Sequence, residues 1–343
     1  MGERAKPEVV LLAAQETSPS VLYGLYDVLY SVGVVYSDMT VGEPGWESLS
    51  VRIVARDAEP FRCIGNVMVE PHAGIDAIAW ADVVIVCDTY TPIFQAPRGK
   101  YPRESAWLRK MHAAGALICS ICSGALMLAE AGLLDGREAA THWAYGDLFR
   151  RCYPAVKLRR DSVLCLSGEA EGIITAGAVN AWQDLAIYLI ARFCGPRQAL
   201  HTSKVFLLSG HNEGQLPFAA MTRRVETSDA LIADCQRWIA ENYATANPVQ
   251  RMIERSGLTP RTFARRFRAA IGYRPIDYVQ TLRIEEAKRM LEADQPGIEE
   301  IGEVVGYNDF ASFRRLFKRK AGLTPVAYRR KYASLVSSGR QSG

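Results

Sequence analysis

The sequence places a cysteine and a histidine in a pattern that suits nucleophilic chemistry. Cys122 follows an apolar run at 116–119 and precedes a helical pattern at 123–131, and His142 lies further along the chain. A strand-to-helix elbow holds its corner residue at a helix N-terminus, where the helix dipole is expected to lower the pKa of a thiol. The pair therefore predicts either a cysteine-dependent active site or a packed elbow residue beside a polar group at a helix entry.

Further hydrogen-bonding side chains follow the predicted strands. Parallel strands gather their carboxyl ends at one edge of a sheet, where open α/β domains bind ligands. The residues expected there suit a small polar effector such as an amino acid or an amine derivative: Thr17, Asp88, Thr89, Cys122, Ser123, His142 and Thr175. Cys119 and Cys122 also form a Cys-x-x-Cys sequence, but no second cysteine pair accompanies them, so we expect no metal and no cofactor.

The elements that would position these residues alternate short, continuous apolar runs with longer helical patterns. Such apolar runs are typical of strands buried on both faces of a parallel sheet. Their alternation with helices predicts a three-layer, flavodoxin-like α/β domain over residues 1–210. The predicted strands are 9–14, 51–55, 83–87, 116–119 and 173–175, and the predicted helices are 20–32, 103–114, 123–131, 180–193 and 196–208.

The rest of the chain has a different character. Residues 211–228 contain glycine and proline without sustained periodicity, which predicts a linker. Residues 229–333 read only as helices and turns, so we expect an all-α domain there, and residues 334–343 are expected to form a frayed tail.

Composition excludes several classes of protein. With 49% hydrophobic and 23% charged residues, the chain is neither a disordered nor a collagen-like sequence. No apolar run approaches the roughly 18 residues of a membrane span, and the apolar stretch near the N-terminus is too short for a signal peptide. The eight cysteines lack the spacing of a disulfide framework. We therefore expect a cytoplasmic protein without a membrane partner.

The net charge of +4 conceals an uneven distribution. Residues 1–228 carry 21 Lys and Arg against 24 Asp and Glu, whereas residues 229–343 carry 20 against 13. The two parts thus have net charges of −3 and +7. A basic C-terminal third indicates an anionic partner for that part alone, with nucleic acid as the first candidate and a solvated surface as the alternative.

An internal repeat is the strongest signal in the C-terminal third. Residues 257–279 resemble residues 306–329, with one extra residue near the start of the second copy. Phenylalanines four residues apart lie on one helical face, and a glycine ends each helix. The matching pairs are Phe263 and Phe313, Arg265 and Arg315, Phe267 and Phe317, Gly272 and Gly322, Pro275 and Pro325, and Tyr278 and Tyr328.

Each copy of the repeat follows a short predicted helix, at 249–256 and 298–305, and a turn that contains glycine. A helix, a turn and a second helix form a helix-turn-helix unit, whose second helix enters the major groove of double-stranded DNA. The alternative is a helical bundle with a solvated basic face, which the duplication and the charge disfavour. The outward positions suited to bases and phosphates include Arg261, Thr262, Arg265 and Arg266 in the first copy and Ala311, Ser312, Arg315 and Lys318 in the second.

The stretch from Gly306 to Arg329 resembles the signature of the AraC/XylS family of bacterial transcription regulators. The resemblance covers about residues 229–332 and implies a DNA-binding domain with two helix-turn-helix units, which commonly contacts RNA polymerase and activates transcription. It implies that bases are read by Arg261, Thr262 and Arg265 in the first unit and by Phe310, Ala311, Ser312 and Arg315 in the second. Phe310 and Ala311 offer only apolar contacts, so we expect the second unit to read sequence less sharply.

Residues 8–208, with Cys122 and His142, resemble the class I glutamine amidotransferase-like fold of the PfpI type. Enzymes of that fold place an acid from the first strand-helix loop beside the cysteine and a glycine pair after the third buried strand. Here the acid would fall at Ser20 or Val21, and the sequence after the strand is Cys-Asp-Thr-Tyr. Since the parts of a nucleophilic site are incomplete, Cys122 and His142 are expected to be vestigial.

The combined pattern predicts a homodimeric transcription regulator in which a small polar effector in the N-terminal domain controls DNA binding. The alternative from another class is a cysteine-dependent amidohydrolase or hydratase with a helical accessory domain. A thiol redox sensor at Cys122 is a third possibility. The sequence leaves the effector, the operator and the direction of regulation open.

Overall fold

The computed structural model describes residues 6–95, 97–211, 214–219, 227–293 and 297–338. The chain divides into two compact units, 1–215 and 216–343, which we call the N-terminal unit and the C-terminal unit. Among the described residues, no helix has both the length and the apolar character that crossing a membrane requires.

The N-terminal unit is built on a seven-stranded sheet with the strand order β10-β11-β7-β6-β1-β2-β5. Every pair in this sheet is parallel except β10 with β11. Two further pairs, β3 with β4 and β8 with β9, lie outside it. The strands are β1 (Glu8–Leu12), β2 (Ser50–Ala55), β3 (Phe61–Arg62), β4 (Met68–Val69), β5 (Ala73–Gly74), β6 (Val83–Val86), β7 (Leu117–Ile121), β8 (Glu138–Ala139), β9 (Lys157–Leu158), β10 (Leu164–Ser167) and β11 (Ile173–Ala176).

Helices cover both faces of this sheet. They are α1 (Pro19–Tyr30), α2 (Val35–Val41), α3 (Pro102–Ala113), α4 (Ala125–Glu130), α5 (Gly146–Cys152), α6 (Trp182–Cys194) and α7 (Pro196–Phe206). In β1, Val9 and Leu11 join the core cluster that contains α1 and α6, whereas Val10 and Leu12 join the cluster that contains α3 and α4. Burial on both faces explains the unbroken apolar run, and the three-layer α/β class is confirmed.

Two edge strands of the sheet, β5 and β10, were not among the predicted strands. The edge strand β10 runs antiparallel to β11, with Leu164 paired to Ala176. Of its four residues only Cys165 is buried and the other three are partly buried, because an edge strand packs on fewer neighbours. A short, mixed pattern of this kind carries a weaker signal than the runs of the central strands.

The C-terminal unit consists of helices α8 (Ala230–Asn242), α9 (Pro248–Ser256), α10 (Pro260–Ile271), α11 (Pro275–Glu292), α12 (Ile298–Val304), α13 (Phe310–Ala321) and α14 (Pro325–Ser338). The long helix α11 contributes Tyr278 to one core cluster and Ile284 to the other. Arg283 donates hydrogen bonds to the carbonyls of Tyr243 (2.7 Å) and Gly306 (2.8 Å). These contacts fix the two halves of the unit to each other.

The predicted linker and tail both differ from the structure where it describes them. Gln215 is buried in the N-terminal unit, where its Nε2 donates to the carbonyls of Thr141 (3.1 Å) and Ser162 (2.8 Å). Pro217 belongs to the C-terminal unit, where its carbonyl accepts from the Tyr332 hydroxyl. The composition of this segment predicts flexibility, but it gives no information about hydrogen-bond partners that lie far away in the sequence. Residues 212–213, 220–226 and 339–343 lie outside the described residues, and α14 continues through the first half of the predicted tail.

Candidate functional site

The predicted elbow forms at the end of β7. Cys122 adopts a left-handed backbone conformation with φ of 54°, and a short 3₁₀ turn over Cys122–Gly124 leads into α4. A Cβ atom at Gly124 would lie 2.7 Å from the carbonyl oxygens of Val86 and Cys87. Only glycine fits at this approach, so the end of β6 holds the turn in place.

The thiol in this elbow is protonated at neutral pH. Cys122 is only 5% exposed, and burial, followed by the charge of Asp88, raises its pKa to about 12. The expectation that the helix N-terminus lowers this pKa is therefore wrong. Desolvation of the thiolate outweighs the dipole of a short helix.

Asp88 is the acid that lies near the thiol, and it comes from the end of β6 instead of the first loop. Its carboxylate accepts hydrogen bonds from the Ser18 amide (3.1 Å) and the Ser18 hydroxyl (2.5 Å). Burial raises the pKa of Asp88, although the bonds from Ser18 act in the opposite direction. Asp88 was predicted at this edge as a ligand contact but not as a neighbour of the thiol.

His142 serves a local structural role in this geometry. Its Nδ1 accepts a hydrogen bond from the Ala144 amide (3.2 Å) and so caps the short helix over Trp143–Tyr145. Burial lowers the pKa of His142, which favours the neutral ring. Within the described parts of the chain, no hydrogen bond joins this ring to Cys122. The neighbouring Thr141 hydroxyl does contact the elbow, because it donates to the Cys122 carbonyl (2.9 Å).

The other predicted ligand contacts divide into two groups. Thr17 and Thr175 are fully buried, and their hydroxyls accept from the amides of Ala14 (3.0 Å) and Ala140 (2.7 Å), so both support the backbone. Thr89 lies closer to the elbow, since its amide donates to the Ser123 hydroxyl (3.1 Å). The Thr89 hydroxyl is buried and faces the Tyr101 hydroxyl, which interacts with it.

The first predicted recognition helix is α10. The Thr259 hydroxyl caps it by accepting from the Thr262 amide (3.4 Å). The buried face carries Phe263, Phe267 and Ile271. The exposed residues of α10 include four arginines, at 261, 265, 266 and 268.

These arginines have different surroundings. Arg265 and Arg268 line an open groove of about 600 Å³ together with Arg274, which precedes α11. Arg266 is instead paired with Asp229 at the start of α8, with Nε to Oδ2 at 2.5 Å. Arg274 was not among the predicted DNA contacts, although its position two residues after the helix-ending Gly272 placed it beside α10.

The second predicted recognition helix is α13, and its exposed face is more mixed. Asp309 caps the helix by accepting from the amides of Ala311 (3.1 Å) and Ser312 (3.0 Å). Arg315 donates to the Ser312 hydroxyl (2.9 Å) and lies 3.9 Å from the Asp309 carboxylate. Phe310 is half-buried against the core cluster of this half, whereas Ala311 and Lys318 are exposed.

Known protein families account for both units. A model of the DJ-1/PfpI family matches residues 8–186, and a model described as a helix-turn-helix domain matches residues 252–331. The HTH-type transcriptional regulator GlxA of Rhizobium meliloti is 31% identical over 233 residues, which cover 66% of this chain and 69% of that protein. The chain belongs to the AraC-type transcription regulators with a DJ-1/PfpI domain.

Other relatives agree with this assignment. The HTH-type transcriptional regulator CdhR of Pseudomonas aeruginosa is 25% identical to this regulator over 282 residues, which cover 80% of this chain and 79% of that protein. The solved structure of a THiJ/PfpI family protein from Pseudomonas syringae has a TM-score of 0.50 and 18% identity. It covers 74% of this chain and 92% of that one, a likeness that concerns the fold.

An enzyme also occurs among the relatives of this regulator. An isonitrile hydratase of Pseudomonas putida is 26% identical over 174 residues, which cover 51% of this chain and 66% of that protein. The relatives that match most of the chain are nonetheless named transcription regulators, and DNA binding by the C-terminal unit follows from the family.

Proposed function

We propose that this regulator reads its operator mainly through α10, with α13 as a weaker second contact. The carrying observation is the exposed face of α10, where Arg265 and Arg268 line an open groove together with Arg274. A guanidinium group can donate two hydrogen bonds to the edge of one guanine base, and it also neutralises the charge of phosphate groups. The net charge of +7 over residues 229–343 supports this assignment.

The individual roles follow from exposure and pairing. Arg261, Thr262 and Arg265 read bases from α10, while Phe310, Ala311, Ser312 and Arg315 supply the second contact from α13. Arg266 and Lys318 contact phosphates, and Arg266 does so by exchanging its partner Asp229. If the two helices enter successive major grooves, their spacing is about 34 Å.

Footprinting of chromosomal sites by the full-length protein tests this proposal. We expect discrete operators, and affinity for them should fall steeply as salt rises, because bound counterions are released from the phosphates. A flat response to salt would contradict DNA binding by the basic face. Genes beside the recovered sites indicate the effector's pathway, and their transcript levels with and without the regulator show whether it activates or represses.

The N-terminal unit, in this proposal, senses a small polar effector. The elbow offers Asp88, Thr89, Cys122, Ser123 and His142 as candidate contacts, and the hydrogen bond from the Thr89 amide to the Ser123 hydroxyl shows that the ends of β6 and β7 meet there. An effector that binds one arrangement of a homodimer better than another changes the operator spacing that the dimer fits. A coupling free energy of about 1–3 kcal/mol suffices. Acting on chromosomal DNA with RNA polymerase, the regulator would work in the cytoplasm.

The elbow itself, we infer, does not catalyse. A protonated thiol and a capping histidine without a mutual hydrogen bond support this inference. The left-handed backbone of Cys122 is the feature that favours the rival hydratase or amidohydrolase, since strained elbows occur at nucleophiles.

Assays of the purified protein with isonitriles and primary amides distinguish these functions. We expect no turnover, and Cys122→Ser should bind operator DNA with unchanged affinity. Turnover that disappears in Cys122→Ser would establish the enzyme. Operator binding that falls with peroxide and recovers with reductant would establish a redox sensor instead.

A further inference from the structure

A short segment at the start of the C-terminal unit lies against the end of α13. It forms a 3₁₀ turn over Leu216–Phe218, in which Pro217 is buried. A Cβ atom at Gly322, the residue that ends α13, would lie 3.1 Å from the Leu216 Cβ and 3.1 Å from the Pro217 Cδ. Glycine at this position therefore leaves room for the segment to pack. We call residues 216–219 the docked segment.

Two further helices hold the docked segment by its carbonyl oxygens. The Tyr332 hydroxyl of α14 donates to the Pro217 carbonyl (2.9 Å), and Lys288 Nζ of α11 donates to the Ala219 carbonyl (2.6 Å). The docked segment thus contacts α11, α13 and α14, and all three helices contribute to the core cluster of the second helix-turn-helix unit.

Lys288 gives the docked segment a buried, charged partner. The lysine side chain is only 5% exposed, and its ammonium group also pairs with Glu285 Oε1 at 3.0 Å. A buried ammonium group is costly unless hydrogen bonds replace the water that it loses. If the docked segment left, Lys288 would lose the Ala219 carbonyl as an acceptor, so the lysine favours the docked position.

The docked segment acts on the second unit of the repeat. In both units the repeated tyrosine is bonded to the preceding long helix. Gln236 of α8 donates to the Tyr278 hydroxyl (3.1 Å), and the Tyr328 hydroxyl donates to Glu292 of α11 (2.7 Å). The contacts of the docked segment are with α13, α14 and the second half of α11, so they add to the second unit a hold on the end of its recognition helix.

We propose that the docked segment is a positioning element for the second DNA contact. By holding the C-terminal end of α13 against α11 and α14, it sets the angle at which α13 enters the major groove, and Lys288 and Tyr332 are its positioning residues. The inference rests on the proposed role of α13 as the second contact and specifies what orients that helix.

The held end of α13 is the end away from the bases. Recognition helices contact bases with their N-terminal residues, so the docked segment leaves that surface open to DNA. Because α13 has 12 residues, its two ends are roughly 17 Å apart at a rise of about 1.5 Å per residue. A rotation of about 10° about the held end would move the base-reading end by roughly 3 Å, which is the length of a hydrogen bond. A small change in docking is therefore enough to spoil the reading of bases by α13.

A double variant, Lys288→Met with Tyr332→Phe, removes both hydrogen bonds to the docked segment and keeps side chains of similar size. Fluorescence anisotropy of the full-length protein compares the operator recovered by footprinting with duplexes in which the base pairs read by α10 (the α10 box) or by α13 (the α13 box) are scrambled. The α13 box is the one whose scrambling costs Arg315→Ala less affinity than it costs the wild-type protein. In the double variant, we expect the loss of affinity on scrambling the α13 box to shrink about twofold to tenfold, the range that one net hydrogen bond gives. The loss on scrambling the α10 box should stay unchanged.

Tyr23→Phe is the matched control, because it removes a hydroxyl that donates to the Met68 carbonyl (3.1 Å) in the N-terminal unit. It should change the response to neither box. Equal changes at both boxes in the double variant would show that the docked segment only stabilises the unit, which would overturn the positioning role. No change at either box would overturn it as well.

Amide hydrogen exchange of the full-length protein without DNA separates this inference from the proposed function. In the double variant the amides of α13 should exchange faster, whereas those of α10 should not change. Unchanged exchange in α13 would overturn the inference. If the wild-type operator has no α13 box, α13 does not read DNA and that part of the proposed function fails. Faster exchange in α13 would still show, in that case, that the docked segment holds the helix.

Discussion

The two helix-turn-helix units repeat the same core packing but present two different surfaces. Phe267 packs edge-on against Tyr278 at 5.6 Å, and Phe317 packs edge-on against Tyr328 at 5.5 Å. Gly272 and Gly322 end the two recognition helices with φ values of 81° and 74°. Apart from the exposed pair Arg265 and Arg315, the duplicated positions are therefore those that pack or end the helix, whereas most exposed positions have diverged. Divergence of the surface allows the two units to make unequal contacts with DNA.

The helix caps show the difference most directly. A neutral Thr259 begins α10, and an acidic Asp309 begins α13. Recognition helices enter the groove by their N-terminal residues, close to the phosphates. A carboxylate at that end repels DNA and partly neutralises Arg315, so we expect the first unit to dominate.

The largest effect should be a loss of stability when the core packing that both units repeat is disrupted. Phe267→Ala and Phe317→Ala each remove a fully buried ring and should lower the stability of the C-terminal unit by about 3–5 kcal/mol. Hydrogen exchange of the α10 and α13 amides in the full-length protein measures this loss. Val326→Ala, at an exposed position, is the control and should cost little. A loss of stability for only one of the two variants would show that the two cores are not equivalent.

The second largest effect should distinguish the exposed faces of α10 and α13 by their contributions to DNA binding. Arg265→Ala should cost about 1–3 kcal/mol of binding to the operator, because a forked contact to a base is lost. The equivalent Arg315→Ala should cost less, since Arg315 already lies near Asp309. Fluorescence anisotropy with operator and random duplexes provides the measurement. If Arg265→Ala weakens both duplexes equally, Arg265 is only a phosphate contact.

A smaller effect is expected at the acidic cap. Asp309→Asn keeps an N-capping side chain but removes the charge, so affinity for DNA should rise roughly twofold to fivefold at low salt. The bonds from Ser312 and from the backbone amide of Ala311 lower the pKa of Asp309. The ionised carboxylate therefore stabilises the N-terminus of α13 at pH values above the ordinary pKa of an aspartate. This stabilisation is lost as the pH falls through the lowered pKa of Asp309. Affinity unchanged by Asp309→Asn would show that the cap lies away from the phosphates.

The smallest expected effect distinguishes two arginines on α10. Arg268→Ala should reduce the slope of log affinity against log salt by about one. Arg266→Ala should reduce it less, because part of its charge is already balanced by Asp229. Measurements on random duplex DNA from low to moderate salt compare the two slopes. Equal slopes would mean that the Arg266 pair opens freely on DNA.

The repeat could be predicted from the sequence because its determinants are local. Phenylalanines four residues apart and a glycine at the helix end need no information about distant residues. The elbow at Cys122 was located for the same reason, but the direction of its pKa was not. That direction depends on burial by the whole domain and on Asp88 from another strand.

The ion pair between Glu16 and Lys100 shows the limit of such prediction. Glu16 and Lys100 meet only because β1 and α3 are brought together by the sheet, and neither residue stands in a motif. The same holds for Gln215, whose surroundings in the sequence resemble a flexible linker. Contacts between segments far apart in the sequence therefore determine these features, which the local sequence patterns could not predict.

Gln215 links the last strand of the sheet to the elbow. Its amide is fixed by two carbonyls, and a Cβ atom at Gly177 would lie 1.9 Å from Nε2, so the side chain fills a site that tolerates only glycine opposite. One of the two carbonyls belongs to Thr141, whose hydroxyl donates to the Cys122 carbonyl. A shorter side chain at position 215 would therefore leave the Thr141 carbonyl without this donor and open a gap beside the residue that supports the elbow.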